Sequence, residues 1–426
     1  MRRLRRAQGW RKSLGRLGGP CAYGTRRISA EATAGPRVTP RYAFANNRNK
    51  IPHVFATYAR PIAGGPYDSA PMSVLFSPLV QRSVTFRNRV GISPMCQYSC
   101  VDGVPTDWHL VHLGSRAVGG AGLVITEAAA VEPIGRISPS DAGIWNDTQA
   151  EAWGRITRFI SDHGAVPGVQ LAHAGRKGST KVPWEGHNGI PPENGGWQPV
   201  GPSAINFRDD YIKPTAMTLE QIGQLRDKFV DSAKRAVDAG FKLIEIHAAH
   251  GYLLHNFYSP LSNTRTDAYG GSFDNRIRLL VEIATAVRAA VPDSLPVWTR
   301  LSCTDWVDGG WTIEESIELS RRLKQVGVDA IDCSTGGNVP KATIPVGPGY
   351  QVPFAARIRR EAGIATAAVG MITEAQQANE ILERGDADLV LIARESLRDA
   401  YFPLHAAGEL DARDSLKPPV QYERAF

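Results

Sequence analysis

Residues 242–252 read Lys242-Leu-Ile-Glu-Ile-His-Ala-Ala-His-Gly-Tyr252. A short apolar run ends on ionisable residues, and a glycine then turns the chain. Seven other short apolar runs recur along the chain: RVGIS (89–93), GLVIT (122–126), PGVQLA (167–172), PVWTRL (296–301), VDAIDC (328–333), ATAAVG (365–370) and ADLVLIA (387–393). Segments of helical period lie between them, among them Asp147–His163, Thr218–Ala239, Asp274–Val291, Thr312–Val326 and Thr373–Arg384. Thr218-x-x-Gln221 and Thr312-x-x-Glu315 read as capping boxes at helix starts. Near-continuous apolar strands alternating with helices imply a parallel sheet covered on its outside. Eight such units over about 330 residues predict a single (β/α)8 TIM barrel rather than an open doubly wound sheet. No Gly-x-Gly-x-x-Gly follows the first run, which weakens the dinucleotide-fold alternative.

Working outward, the barrel occupies residues 73–426. The 426-residue chain carries 49 Lys+Arg against 42 Asp+Glu, a net charge of +7, but the excess is local. Residues 1–30 hold nine basic residues and no acidic one, so the remainder holds 40 basic against 42 acidic. An Arg-rich, acid-free start containing Ser13 and Ser29 reads as a transit peptide, mitochondrial first, with plastid or cytoplasmic residence as alternatives. Residues 31–72 are aperiodic and Pro/Gly-punctuated, as an irregular linker or extension would be. The near-neutral barrel offers nothing to nucleic acid, and a basic arm binding RNA would rest on the leader alone. No stretch approaches the ~18–20 uninterrupted apolar residues of a membrane helix. The five cysteines (21, 96, 100, 303 and 333) are odd in number and unpaired in spacing, which argues against a disulfide framework.

A TIM barrel places its chemistry at the C-terminal strand ends. Those ends here hold Pro94-Met95-Cys96-Gln97-Tyr98, Glu127-Ala128, Gln170, His247 and His250, Arg300, Ser334-Thr335-Gly336-Gly337, Gly370, and Ala393-Arg394. His247 and His250, three residues apart across a bend, could jointly hold one carbonyl oxygen as negative charge develops on it. Tyr252 beside them could supply a proton. A metal site using His255 and Glu245 is the rival reading, but the spacing is not His-Glu-x-x-His and Glu245 should lie one layer deeper. Arg300 inside the mouth needs an anion, an electron-rich ring, or a salt bridge to a carboxylate such as Asp305. The glycines near strands 6 to 8, together with Arg394, suit a phosphate. Cys96 could be a nucleophile, a small buried hydrophobe or a thiol against a cofactor ring, and its residues alone leave these open.

The same stretches carry a family resemblance. Ser93-Pro-Met-Cys-Gln-Tyr98, Gln170-Leu-Ala-His-Ala-Gly-Arg-Lys177, Ile246-His-Ala-Ala-His-Gly-Tyr252, Ser259-Pro-Leu-Ser-Asn263, Arg265-Thr-Asp-x-Tyr-Gly-Gly-Ser272 and Gln421-Tyr-Glu-Arg424 resemble Old Yellow Enzyme ene-reductases of the thermophilic-like bacterial branch. The resemblance spans about residues 73–426. It implies FMN as cofactor, NADPH or NADH as hydride donor, and ping-pong hydride transfer to the activated double bond of an enone or nitroalkene. It further implies that His247 and His250 hold the substrate oxygen, that Tyr252 donates the proton, and that Tyr98 and Lys177 line the substrate pocket. Cys96 would tune the flavin potential. Pro94, Met95, Cys96, Ala128, Gln170, His247 and Arg300 would surround the flavin ring, with Gly336, Gly370, Ala393 and Arg394 at its phosphate. Arg424 would reach a neighbour's site in a homodimer or homotetramer. Position 393 departs from the pattern, being Ala where many relatives have Gly. The Pro/Gly-rich Trp184–Gly201 loop is expected to shape substrate access.

A flavin-free barrel lyase or isomerase would need a Schiff-base lysine or metal carboxylates at the strand ends, and no strand end offers a lysine. A larger iron–sulfur relative would need a cysteine cluster that is absent.

Overall fold

A computed structural model describes residues 73–426 of the protein. The leader and linker expected over residues 1–72 lie outside the described residues.

A hairpin comes first, β1 (Leu79–Gln81) against β2 (Val84–Phe86), antiparallel. The barrel follows: β3 (Val90–Ile92), α1 (Asp107–Val118), β4 (Leu123–Ala130), α2 (Asp147–Asp162) and β5 (Val166–Ala172). A long excursion then carries the two-residue strands β6 (Val200–Gly201) and β7 (Thr215–Ala216). After it come α3 (Leu219–Asp238), β8 (Leu243–Ala248), α4 (Leu253–Tyr258), α5 (Phe273–Ala290), β9 (Val297–Ser302) and α6 (Ile313–Gln325). The last third is β10 (Ala330–Ser334), α7 (Val352–Ala362), β11 (Ala365–Ala368), α8 (Ala375–Glu383), β12 (Leu389–Ile392), α9 (Arg394–Arg398) and α10 (Phe402–Glu409). Strands β3, β4, β5 and β8 to β12 pair in parallel, and β12 closes on β3, so the eight-stranded barrel read from the sequence is the fold.

Both predicted capping boxes form. Thr218 Oγ1 accepts from the Gln221 amide at 3.2 Å, and the Gln221 side chain accepts from the Thr218 amide at 2.9 Å. Thr312 and Glu315 do the same at the start of α6. Each box satisfies two of the amides a helix start leaves unpaired.

Alternation along the strands sorts the core into two parts. Ile244, Ile246 and Ala248 face the helices, whereas Leu243, Trp298, Ala330, Leu123, Ile125, Leu389 and Leu391 fill the barrel interior. The hairpin plugs the floor of that interior: Phe86 packs on Trp298 at 6.2 Å between ring centroids, and Trp298 Nε1 donates to Gln81 Oε1 at 2.7 Å. Chemistry is thereby confined to the opposite mouth.

One irregularity matters for the site. Ile125 pairs with Gly168 and Ala128 with Gln170, so Thr126 and Glu127 together face a single residue of β5. This bulge keeps Ala128 turned inward while Glu127 points out towards α1, where its carboxylate meets His109.

Candidate active site

Above the apolar floor the interior becomes polar. Gln170 Nε2 donates to Glu245 Oε1 at 2.8 Å, so Glu245 lies one layer below His247, as the strand period requires. Arg300 is buried, with Nε 3.1 Å from Asp332 Oδ2 and one terminal nitrogen 3.3 Å from Ser93 Oγ. Its partner is therefore Asp332 and not the Asp305 suggested by sequence proximity. Asp332 sits directly opposite Arg300 in the β9–β10 register, while Asp305 is taken by His255 at 2.9 Å. Burial raises both Glu245 and Asp332; the Asp332 charge raises Glu245 further, while Arg300 lowers both and a hydrogen bond with Glu245 lowers Asp332, without cancelling the effect of burial. The His255/Glu245 metal set does not converge either: His255 is engaged by Gly251 and Asp305, and Glu245 by Gln170.

His247, the penultimate residue of β8, lies inside the mouth. The chain then turns through His250 (φ 59°) and Gly251 (φ 72°), which folds the His250 ring back to 5.2 Å from His247. Tyr252 closes the group, 5.1 Å from His247 between ring centroids. Both imidazoles are pushed well below their ordinary range by burial, reinforced by the nearby Arg300 charge. They are neutral at pH 7, each with one N–H to give. His250 Nε2 lies 2.7 Å from Ser334 Oγ, whereas the buried His247 Nδ1 has no partner among the described residues. Burial raises the Tyr252 phenol well above its usual value, so it remains a proton carrier.

Three further predicted residues meet this cluster. Lys177 Nζ donates to the carbonyls of His250 (2.8 Å) and Gly337 (3.0 Å) and lies over the Tyr252 ring at 5.2 Å. Burial, helped by Arg176 and Arg208, lowers its ammonium to about 7. Cys96 lies between Tyr98 and the backbone of Ala128, and burial beside Asp141 and Glu127 raises its thiol well above the normal value. A thiol held protonated is a poor nucleophile. Tyr98 adopts φ 51° and stacks edge-on against Trp184 of the long excursion at 5.8 Å, so that loop does bear on the mouth. Ala128 and Tyr252 share a narrow crevice with Arg136 and Asp141.

Beside the cluster a cavity of about 330 Å³ opens over β10 to β12, lined by Arg300, Ser334, Tyr350, Gln351, Gly370, Ala393 and Arg394 among others. Gly370 (φ 125°) brings backbone close to it where a Cβ would press on Gln351 and Tyr350 at 3.0–3.1 Å. Gly336 is not part of this wall: its carbonyl accepts from Ser302 Oγ, and Gly337 backs onto His250. Arg424 is exposed in the C-terminal turn and is not brought to the site of its own chain. Sequence reading missed Tyr350 and Gln351, which lie in a Pro/Gly loop without periodicity. It also missed Asp332, whose inward alternation with Ala330 and Ser334 was there to be read.

Set against known proteins, residues 74–412 match the family model for the NADH:flavin oxidoreductase / NADH oxidase family. The chain belongs to this family. A member named NADPH dehydrogenase from Geobacillus thermodenitrificans (strain NG80-2) is 47% identical over 356 residues, 83% of this chain and 99% of its own. The solved structure of morphinone reductase in complex with tetrahydroNAD superposes with a TM-score of 0.66 at 27% identity, over 79% of this chain and 91% of that one. The old yellow enzyme homologue from Zymomonas mobilis gives 0.66 at 26%, over 79% and 92%. The Old Yellow Enzyme resemblance is thus borne out, and with it an NAD(P)H-dependent flavin oxidoreductase whose cofactor is FMN. The residues present fit that cofactor. Arg394 and the backbone at Gly370 would take the phosphate and Arg300 the ring, and His247 Nδ1, without a partner among the described residues, remains for a ligand. When bound, FMN supplies a two-electron carrier between nicotinamide and acceptor.

Proposed function

We propose that this enzyme reduces the activated C=C bond of α,β-unsaturated carbonyl or nitro compounds with hydride drawn from NADPH or NADH. The observation carrying this reading is the pairing of two neutral imidazoles, His247 buried and His250 half-buried, with a protonated tyrosine at one strand end. The imidazoles suit an oxygen that gains negative charge as hydride adds at the β-carbon. The tyrosine suits proton delivery to the α-carbon. Lys177 fixes the turn that carries both, through the His250 and Gly337 carbonyls.

The deciding experiment is the visible spectrum of the purified protein under anaerobic NADPH, followed by 2-cyclohexenone. Bleaching and then recolouring supports the reading. Bleaching without recolouring leaves an NADPH dehydrogenase whose acceptor is of another class.

The reading extends to a homodimer or homotetramer in which Arg424 serves a neighbouring site, which sedimentation and an Arg424→Ala kinetic comparison would test. It extends also to mitochondrial import directed by residues 1–30, testable by fusing them to a fluorescent protein.

A further inference from the structure

Three buried histidines outside the reacting centre share one bonding pattern. His109 Nδ1 receives the Thr106 amide at 2.9 Å, His173 Nδ1 the Gly175 amide at 3.0 Å, and His255 Nδ1 the Gly251 amide at 2.9 Å. A backbone N–H can only donate, so each Nδ1 presents a lone pair and a neutral ring carries its proton on Nε2. Each Nε2 lies within ion-pair distance of a carboxylate: Glu127 Oε1 at 2.9 Å, Glu132 Oε1 at 3.2 Å and Asp305 Oδ1 at 2.9 Å; His109 Nε2 also lies 3.3 Å from Cys100 Sγ. The second oxygen of each carboxylate is also used. Glu127 Oε2 accepts from the Gln97 amide (2.9 Å), Glu132 Oε2 from Lys228 Nζ (2.6 Å), and Asp305 Oδ2 from Ser259 Oγ (2.6 Å) and the Trp311 amide (2.9 Å).

The loops so anchored are those that carry substrate-facing groups. Gln97 sits between Cys96 and Tyr98, Gly175 two residues before Lys177, and Gly251 between His250 and Tyr252. All three loops hold a non-glycine residue at positive φ, Tyr98, Ser179 and His250, a conformation that persists only where the surroundings impose it. One such pair would be an ordinary satisfied core histidine. Three, each ending on a different substrate-bearing loop, constitute a frame.

We infer that His109–Glu127, His173–Glu132 and His255–Asp305 are positioning pairs that fix the geometry of the three substrate-facing loops. They touch neither cofactor nor substrate and act through the loops they hold. The direction of anchorage differs between them. In the first pair the loop hangs from the carboxylate. In the other two it hangs from the imidazole Nδ1.

That difference supplies the test. A glutamine side chain reproduces the Nε2–H donor of histidine but not the Nδ1 acceptor, whereas asparagine reproduces the acceptor and loses the donor. At position 109, His109→Gln should keep the rate at which NADPH bleaches the enzyme within about threefold and His109→Asn should lose about tenfold or more. At position 255 the order should invert, with His255→Asn the milder change. Because a glutamine at 109 can itself accept the Thr106 amide, urea midpoints are measured alongside; the same ranking of the two substitutions at both positions, or reduction rates that simply follow the midpoints, overturns the proposal. Because the readout is reduction by NADPH, failure here is separable from failure of the alkene reading. Should the variants not fold, long-range 1H–15N spectra of the histidine-labelled wild-type holoenzyme decide independently. Three neutral Nε2–H rings with accepting Nδ1 atoms are expected, and Nδ1–H or doubly protonated rings at these positions would sink the inference.

Discussion

Replacing Arg394 with glutamine should weaken FMN and leave riboflavin nearly untouched. Three guanidinium groups line the cavity over β10 to β12: Arg300, Arg394 and Arg398. Arg300 is held by Asp332 and Arg398 by Glu395. Among the described residues, only Arg394 of the three has no carboxylate within ion-pair distance, so its donors remain for an anion. A hydrogen bond to a charged phosphate contributes about 1.5–3 kcal/mol. At about 1.4 kcal/mol per tenfold in Kd, Arg394→Gln should weaken FMN by roughly 10- to 150-fold. Riboflavin keeps the ring and lacks the phosphate, so its affinity should change by less than about threefold. Titrating the flavin-free protein while following flavin fluorescence measures both constants. An FMN loss below about threefold, or an equal loss for riboflavin, would refute the phosphate assignment.

Exchanging both His247 and His250 for alanine should cut enone turnover by about 100-fold or more while FMN stays bound, as flavin absorbance after gel filtration would report. Unchanged turnover would place the oxygen clamp elsewhere. Trp298→Ala removes the ring on which the hairpin rests and strands the Gln81 amide, at an expected cost of about 3–5 kcal/mol by urea unfolding; a loss under about 1 kcal/mol would mean the hairpin is no plug. Lys177 titrates at about 7 in the fold against an ordinary 10.5, so its charged form is penalised below pH 7 and the penalty fades as pH rises to 10.5. The urea midpoint of Lys177→Met relative to wild type should therefore be most favourable near pH 6 and fall towards pH 10. A pH-independent difference would contradict the burial of the ammonium.

The barrel was legible because parallel strands, covered on both sides, are written as apolar runs. The helices with Thr-x-x-Gln or Thr-x-x-Glu starts announced themselves equally well. Helix α1 did not: its buried face carries His109, His112 and Arg116, polar residues that erase the apolar period. Its capping partner at the third position is His109 rather than Glu or Gln, so the usual signature is absent. Candidate site residues at strand ends could be read, since alternation and fold direction place them. Partners could not, because they are set by register between distant strands. Arg300 looked to Asp305 five positions on, and found Asp332 across the sheet. The histidine–carboxylate pairs were invisible for the same reason, each joining residues from separate elements.

The bulge in β4 has a consequence for how this strand can change over time. Paired flush with β5, Glu127 would face Gln170 inside the barrel and Ala128 would turn towards the helices. The extra residue exchanges them, giving adjacent codons separate duties: one lines the crevice and the next fastens a loop. Removing one residue at 126–127 would leave Ala128 opposite Gln170 and the crevice wall intact while disturbing the grip on His109. Insertions and deletions at this point can thus alter loop fastening independently of cavity shape, a freedom that no single substitution at 128 provides.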